Sequence, residues 1–311
     1  MLLALSLLLE TNPGFHESLR GADARLAAIG FRLATANAPL CDRLQPATGM
    51  VVHGLGQYGG AERERARVAF GFESAVAVEA VVPDSPAARA GVRADDALIA
   101  IDGSAVGEAS QGIADRDRVL EMLEAGAPDR MIAVSTRRRG ATRAVEIRAV
   151  PACRVRFELL LGRGLYAGSD GRIVHLGERL LERYDDAEIA VVVAHELAHA
   201  ILRHRERLDA AGVQRGLLRE FGRNGRLFRR TEQDADELGV ALLANAGFDP
   251  LSAARFWRTR GGEADGGLLR ARTHPSSTAR ASALEVVGRA VAGQVRPVVP
   301  AVLASRDQPL D

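Results

Sequence analysis

The feature that most constrains this chain is the stretch Val191–His204, VVVAHELAHAILRH, in which two histidines lie four residues apart inside an apolar run. On an α-helix, residues at this spacing are separated by about 40° around the axis and about 6 Å along it, so His195 and His199 face the same way. Two imidazoles so placed can bind one zinc ion, with Glu196 beside a metal-bound water. Without a metal, burial of three unpaired polar side chains would be costly. The stretch therefore predicts a metal-binding helix.

A third zinc ligand is expected further along the chain, because a catalytic zinc takes three protein ligands and leaves one position open. In TEQDADELGVALLANAGFDP (231–250), Glu232 and Asp236 are four residues apart and share one helix face. Glu232 is predicted to complete the site, and Asp236 to accept a hydrogen bond from the far nitrogen of His195. A solvated helix face is the alternative for the acidic cluster taken alone. His204 falls about 180° from His195 on a continuous helix and is predicted to lie on a second face or on the surface.

Composition argues against several classes of protein. The chain has 311 residues, of which 47% are hydrophobic and 26% charged, which is typical of a globular protein of about two domains. Its net charge of +1 gives no overall field for nucleic acid, so we expect no nucleic-acid partner. The sequence also lacks a glycine-rich phosphate-binding loop, which argues against a nucleotide enzyme.

Two features bear on the cellular compartment, and each has two interpretations. The run Leu2–Leu9, LLALSLLL, resembles the apolar region of a signal peptide, but no basic residue precedes it and no A-x-A cleavage site follows. It is either the trimmed or misassigned start of an exported protein or a buried helix, and it is too short to span a bilayer. Cys41 and Cys153 are either one disulfide in an oxidising compartment or two buried thiols.

The secondary structure indicated by the residue pattern changes twice along the chain, from helix to strands and back to helices. This indicates an α+β fold of three segments. Residues 15–40 have helical spacing, short β-type runs separated by turns follow, and helices dominate from 152 onward. We predict an N-terminal helix and linker that pack on the last segment, then a β-rich domain, then a mostly helical domain with a small sheet. The predicted bounds of the three segments are 1–66, 67–150 and 151–311.

The β-rich segment contains VVPDSPAARAGVRADDALIAIDG (81–103), which resembles PDZ domains of the bacterial protease type. Such a domain binds an extended peptide by adding it as a strand, with backbone N–H groups holding the terminal carboxylate. The resemblance places the carboxylate-binding loop near Phe70, Gly71 and Phe72, as the analogue of the family's Gly-Leu-Gly-Phe. The alternative is a PDZ fold that packs against its neighbour and binds nothing.

The last segment resembles the M48 metallopeptidases, which are gluzincin-type zinc endopeptidases, soluble or membrane-linked. Three ordered motifs carry the resemblance: HELAH, then E-x-x-A-D with GFDP after it, then THPSSTAR (273–280). The resemblance implies a zincin-type peptidase domain with Zn²⁺ on His195, His199 and Glu232, and with Glu196 as general base.

The same resemblance suggests roles for two residues of the third motif. His274 is a candidate to shield the metal or touch its fourth position in a resting state. Arg280 is a candidate to stabilise the oxyanion, and an ordinary loop residue is the alternative for each. The family usually begins its substrate-binding edge strand with an Asn-Ala pair. This chain has Gly164-Leu165 before Tyr166-Ala167, which leaves the shape of that edge open.

The resemblance also implies how the domains are arranged. In this family a helix like 15–40 packs on the catalytic domain before its first strand. The PDZ domain is therefore predicted to be inserted between that helix and a strand near 154–161. Cys41 and Cys153 would flank the insertion, which favours the disulfide.

We predict a zinc-dependent endopeptidase that hydrolyses peptide bonds of proteins, with the PDZ domain recruiting substrates or regulating access. The alternative is a non-proteolytic PDZ binding or chaperone-like protein with a capped or structural zinc. The expected partners are protein or peptide substrates and peptide C-termini at the PDZ domain. The arginine-rich segment 214–230 is either a lid, a patch for peripheral association with anionic membranes, or a solvated connector. The predicted location is the bacterial cell envelope or periplasm, with the cytoplasm as the alternative.

Overall fold

The computed structural model describes residues 13–107, 113–213, 222–266 and 276–310, which form an α+β fold. The α-helices are α1 (Pro13–Ala36), α2 (Gly60–Ala69), α3 (Pro86–Arg89), α4 (Ile113–Glu124), α5 (Glu178–Arg183), α6 (Asp186–Ile201), α7 (His204–Ala210), α8 (Gly222–Asn245), α9 (Ser252–Gly266) and α10 (Ser277–Ala292). The strands are β1 (Leu44–Ala47), β2 (Met50–Gly54), β3 (Val76–Val81), β4 (Ala97–Ile101), β5 (Ser104–Ala105), β6 (Met131–Arg138), β7 (Ala141–Arg148), β8 (Val150–Cys153), β9 (Arg156–Leu160), β10 (Ala167–Ser169) and β11 (Ile173–Gly177). Short 3₁₀-helices lie at Ala38–Leu40, Leu55–Gln57 and Ala301–Asp307.

Helix α6 is the centre of the helical domain. It begins with a capping box, in which the side chain of Asp185 accepts from the backbone N–H of Glu188 and the side chain of Glu188 accepts from the backbone N–H of Asp185. Its apolar side chains are buried on nearly every face, since α8, α1, α9 and the small sheet surround it. Polar side chains on so buried a helix must find partners inside the protein.

A three-stranded sheet completes the helical domain. Its strand order is β10-β11-β9, with β11 antiparallel to β10 and parallel to β9. Strand β10 lies at one edge of this sheet and packs beside α6. The predicted strand near 154–161 is β9.

The β-rich domain is built on a sheet of order β2-β3-β4-β6-β7, with β5 paired to β4. Its own hydrophobic core includes Val78, Leu98 and Ile132, each fully buried. Strand β2 lies at the edge of this sheet and pairs with β3. Because β2 and the start of α2 precede residue 67, elements of this sheet domain begin inside the segment predicted as a linker.

The β-rich domain is inserted into the helical domain through a paired stem. Strand β1 enters the insertion, β8 leaves it, and the two pair antiparallel. Cys41 and Cys153 form a disulfide at the base of this stem, with 5.4 Å between their Cα atoms. The two cysteines flank the insertion as the resemblance implied.

Helix α1 contacts both domains. Leu26, Ile29 and Leu33 are buried in the core of the helical domain, while the same helix also packs against β3. Among the described residues, no helix has the combination of length and apolar character that a membrane span requires. The apolar run at residues 2–9 lies outside the described residues.

Candidate metal centre

The metal centre is assembled from α6 and α8. His195 and His199, one turn apart on α6, direct their Nε2 atoms to one point, 3.1 Å from each other. Glu232 on α8 reaches the same point, with its Oε2 3.2 Å from His195 Nε2 and its Oε1 3.5 Å from His199 Nε2. The three residues lie close enough to bind one metal ion together. The sequence-predicted ligand set is therefore brought together by two neighbouring helices.

The spacing of these three side chains fits zinc. A tetrahedral zinc with ligand distances of about 2.0–2.1 Å separates any two of its ligand atoms by about 3.3 Å. The two imidazole nitrogens are 3.1 Å apart, and one carboxylate oxygen of Glu232 lies 3.2 Å from His195 while the other lies 3.5 Å from His199, so the separations bracket that value. Two imidazole nitrogens and one carboxylate oxygen are also the donor set of gluzincin-type catalytic zinc sites.

Asp236 lies behind His195, as the sequence predicted. The Nδ1–H of His195 donates to Oδ1 of Asp236 at 3.0 Å, so the lone pair of His195 is on Nε2 and faces Glu232 and His199. Lone pairs converging on one point repel unless a cation lies between them. Burial lowers the pKa of His195, but hydrogen bonds to Asp236 and Glu232 outweigh burial and raise the pKa to about 10.

Arg280 holds Asp236 in place. Its Nε and Nη2 donate to the two carboxylate oxygens of Asp236 at 2.5 and 2.6 Å, and its guanidinium stacks on Trp257 at 3.6 Å from the ring centroid. Burial would raise the pKa of Asp236, but the adjacent Arg280 and the hydrogen bond from His195 hold it below its ordinary value.

The oxyanion role expected of Arg280 stays a prediction, since Arg280 lines the cleft but two of its nitrogens donate to Asp236. Its guanidinium is 4% exposed and lies on the Nδ1 side of His195, away from the Nε2 that faces the other ligands. Both of its donating nitrogens that reach the site are directed to Asp236. The spacing of Arg280 from the other motifs correctly placed it near the metal, but could not show on which side.

Glu196 lies in the cleft beside the three predicted ligands. Its side chain is buried and lines the same cleft as His195, His199 and Glu232. Apolar side chains from four helices form the rest of the cleft, and β10 contributes its rim. They are Val191, Val192, Phe228, Leu243, Phe256, Trp257 and Leu284, with Ala167 and Ser169 on the rim. His274 lies outside the described residues.

His204 is not on a second face or on the surface, and that prediction is wrong. Helix α6 ends at Ile201, Arg203 adopts a left-handed backbone with φ of 52°, and α7 begins at His204. This turn brings His204 back against His199, with 2.9 Å between their Nδ1 atoms. The side chain is buried, and burial followed by the neighbouring His199 and Arg207 lowers its pKa. The predicted position assumed that one helix continued through residue 204.

The predicted carboxylate-binding loop of the PDZ domain is also wrong. Phe70 and Phe72 are buried in an aromatic cluster with His53 and Tyr58. The backbone N–H groups of Phe70, Gly71 and Phe72 donate to carbonyls of α2 at its C-terminus, so none is free for a carboxylate. These aromatic residues form a small core under β3, a role that their sequence spacing does not distinguish from a loop.

A groove that the sequence did not reveal lies elsewhere on the PDZ domain, between β2 and α4. Residues 50–52 of β2 form one wall, and Leu120 and Leu123 of α4 form the other. Helix α1, through Phe31, and strand β9, through Phe157, lie over it. The signal that could have found it is the short apolar run 50–52, which lies in the segment predicted as a linker.

Two ion pairs hold α4 to β9 across the domain boundary. Arg116 of α4 bonds Glu158 at 2.9 Å, and Glu124 at the other end of α4 bonds Arg156 at 2.6 and 2.8 Å. The groove is therefore closed against the helical domain by contacts at both ends of α4.

Comparison with known families agrees with this geometry. Residues 165–218 and 221–287 match the model of peptidase family M48, a range that contains every residue of the metal centre. The chain carries an M48 peptidase domain. Residues 77–134 match the PDZ domain, which lies before the M48 match in the sequence and is the inserted β-rich domain of the structure.

Two curated relatives have similar sequences. The chain is 34% identical over 137 residues to the mitochondrial metalloendopeptidase OMA1 of Arabidopsis thaliana, a match covering 37% of this chain and 27% of that protein. It is 31% identical over 118 residues to the protein of the same name from Schizosaccharomyces pombe, covering 31% of this chain and 35% of that protein. The chain thus spans about a third of the length of the curated relatives it matches.

Proposed function

We propose that this protein is a zinc-dependent endopeptidase acting on proteins or peptides. The observation that carries the proposal is the convergence of His195, His199 and Glu232 at separations of 3.1 to 3.5 Å, with Glu196 in the same cleft. A purely structural zinc site would fill its fourth position with a protein ligand and would have no use for a buried glutamate beside it. The name of the curated relatives, metalloendopeptidase, supports the same activity.

Each residue of the cleft has a separate role in the proposed hydrolysis. His195, His199 and Glu232 would hold a zinc ion, which would supply a Lewis acid for the scissile carbonyl and for the attacking water. Glu196 would serve as the general base that accepts the proton of the attacking water and gives it to the leaving amine. Asp236 keeps the proton of His195 on Nδ1, which leaves Nε2 free as a ligand.

The substrate is held in an extended conformation along β10. This strand lies at the edge of its sheet and lines the cleft, so its outer edge can accept an added strand from the substrate. Apolar side chains beyond the ligands, including Val192, Phe256 and Leu284, would receive an apolar side chain next to the cleaved bond.

The decisive experiment compares Glu196→Gln with His195→Ala. Glu196→Gln is expected to keep zinc while losing at least about 100-fold in activity, because it removes the base but no ligand. His195→Ala is expected to lose both zinc and activity. Zinc is measured by elemental analysis and cleavage by casein digestion with and without a chelator. Glu196→Gln cleaving at the parental rate would contradict the mechanism, and a parent that holds zinc without cleaving casein or peptides would favour the PDZ binding protein.

We infer that the PDZ domain binds an extended peptide along the outer edge of β2, opposite α4. In support, β2 is an edge strand, and it lines the groove together with Leu120 and Leu123 of α4. The bond from Arg116 of α4 to the Val52 carbonyl, at 3.3 Å, must open for a peptide to pair there. Because α1 and β9 cover the groove, a peptide must displace them, which links binding to the position of the peptidase domain.

A displayed library of peptide C-termini tests this proposed binding at β2. Leu120→Asp in the groove should lose at least about tenfold in capture, whereas Glu121→Ala on the exposed side of α4 should not; equal capture by both variants would contradict it.

We also propose that the protein works in an oxidising compartment. The Cys41–Cys153 disulfide supports this, because such bonds are rare in reducing compartments. The bacterial cell envelope is our proposed location, whereas the curated relatives are named as mitochondrial. Mass spectrometry of protein from native cells, trapped by alkylation, would contradict the proposal if both cysteines were found reduced.

Peripheral membrane association through residues 214–230 stays a prediction. Residues 214–221 lie outside the described residues, and the rest form the first turns of α8.

A further inference from the structure

His204 is a buried imidazole that the mechanism above does not use. It is 1% exposed, and its ring meets that of His199 edge to face, with centroids 4.9 Å apart and an angle of 76° between the planes. Its Nδ1 lies 2.9 Å from Nδ1 of His199. At that distance the two ring nitrogens form a hydrogen bond, in which one nitrogen carries the proton and donates it while the other accepts the bond.

The turn that places His204 is held from outside the metal centre. Arg203, in its left-handed conformation, pairs with Asp42 near the stem and with Asp307 at 3.1 Å near the end of the chain. A non-glycine residue in this conformation is strained, so surrounding contacts must hold it there. His204 is therefore held against His199 by contacts that do not involve the metal ligands themselves.

The position of one proton decides whether His199 can bind a metal. If Nδ1 of His199 carries the proton and donates to His204, then Nε2 of His199 has a free lone pair facing Glu232 and His195. If His204 donated instead, the proton of neutral His199 would be on Nε2 and would block that position. His204 cannot be a fourth ligand, because it meets His199 on the Nδ1 side, away from the converging ligand atoms.

We propose that His204 is a positioning residue that accepts the Nδ1–H of His199, and so keeps Nε2 of His199 free and aimed at the metal. The proposal rests on the proposed function, and it makes the two histidine ligands unequal. His195 donates to a carboxylate, Asp236, whereas His199 donates to a neutral imidazole. A neutral acceptor draws the proton less strongly than a carboxylate does, so His199 is the less basic ligand.

Substitutions of His204 test the proposal through metal affinity. His204→Phe keeps a ring in the space but removes the acceptor, and should weaken zinc binding by about 10–100-fold. His204→Gln restores an acceptor oxygen and should recover most of that loss. The control is Leu208→Ala, which is on the same helix α7 and also buried, but is packed in a different cluster. It should lower the melting temperature and leave zinc affinity within about threefold of the parent.

Zinc affinity is measured by competition with a chromophoric chelator, and the absorption spectrum of the cobalt-substituted protein reports the ligand geometry. The spectrum should change in His204→Phe and return in His204→Gln. Parental affinity and spectrum in a folded His204→Phe would overturn the proposal, as would equal losses in His204→Phe and Leu208→Ala.

Nuclear magnetic resonance of the unmutated protein gives an answer even if the variants fail to fold. With histidine ¹⁵N labelling, a scalar coupling across the hydrogen bond should join Nδ1–H of His199 to Nδ1 of His204 in the zinc-loaded protein. A proton found on Nδ1 of His204 instead would overturn the proposal. A parent that binds zinc without cleaving peptides would remove the peptidase function and leave these measurements of His204 decisive.

Discussion

At the scale of single residues, the metal centre depends on a buried ion pair that never touches the metal. Arg280 and Asp236 are both largely removed from water. Each compensates the charge of the other through two hydrogen bonds. Removing one partner of such a pair leaves an uncompensated buried charge, which costs about 3–5 kcal/mol. An exposed pair of the same kind contributes far less, because water screens it.

The contrast between buried and exposed pairs predicts the effect of removing either arginine. Arg280→Met should lower the free energy of unfolding by about 3–5 kcal/mol and weaken zinc binding, because Asp236 loses its anchor. Arg255→Met breaks the exposed pair with Asp249 and should change stability by less than about 1 kcal/mol. Urea denaturation measures both, and similar losses in the two variants would show that burial does not govern the Arg280 pair.

At the scale of secondary-structure elements, the contact between α1 and β3 contains a buried carboxyl group. Glu79 on β3 is 5% exposed, and burial followed by repulsion from Asp23 on α1 raises its pKa to about 8, against the attraction of Arg20 and Arg116. The ordinary pKa of a glutamate is 4.5. The folded protein thus keeps a proton that the unfolded chain gives up, and stability must fall as pH rises between those two values.

From this contact we predict that Glu79→Gln increases the stability of the protein at high pH but not at low pH. At about pH 8.5 the variant should be more stable than the parent by at least about 1 kcal/mol, because it has no charge to bury, and near pH 4 the two should be similar. Glu146→Gln, at an exposed position of β7, should match the parent at both pH values. Thermal unfolding across this range is the measurement, and a gain at pH 4 as large as that at pH 8.5 would be inconsistent with ionisation as the cause.

At the scale of the whole molecule, the PDZ domain is attached at one stem, at the ends of α4 and through α1, which contacts both domains. The stem combines the β1–β8 ladder with the Cys41–Cys153 disulfide, and α4 adds its ion pairs to β9. The disulfide joins residues separated by 112 positions, so it restricts a large part of the unfolded chain.

The stem predicts that Cys41→Ser with Cys153→Ser destabilises the fold without removing the metal. The free energy of unfolding should fall by about 2–5 kcal/mol, while zinc content stays that of the parent, because the ligands lie on α6 and α8. A reducing agent should weaken the parent in denaturant titrations but not the double variant. Parental stability that does not respond to the reducing agent would contradict a role for the disulfide.

The sequence alone determined the features that depend on local spacing. His195 and His199 share a face, and Glu232 and Asp236 share another, because the helical repeat brings residues four apart together whatever surrounds them. The insertion and its flanking cysteines were implied by the resemblance to the M48 family, in which a helix packs on the catalytic domain before its first strand.

Only the tertiary structure decided where the chain turns and which groups meet across it. His204 reaches His199 because α6 stops at Ile201, Arg280 faces Asp236 instead of the open side of the metal, and Phe70 is buried while β2 forms the groove. The physical reason is that helix ends and side-chain partners are set by long-range packing. A periodic pattern predicts which face of its own helix or strand a residue lies on, but not which side chain of another element it contacts.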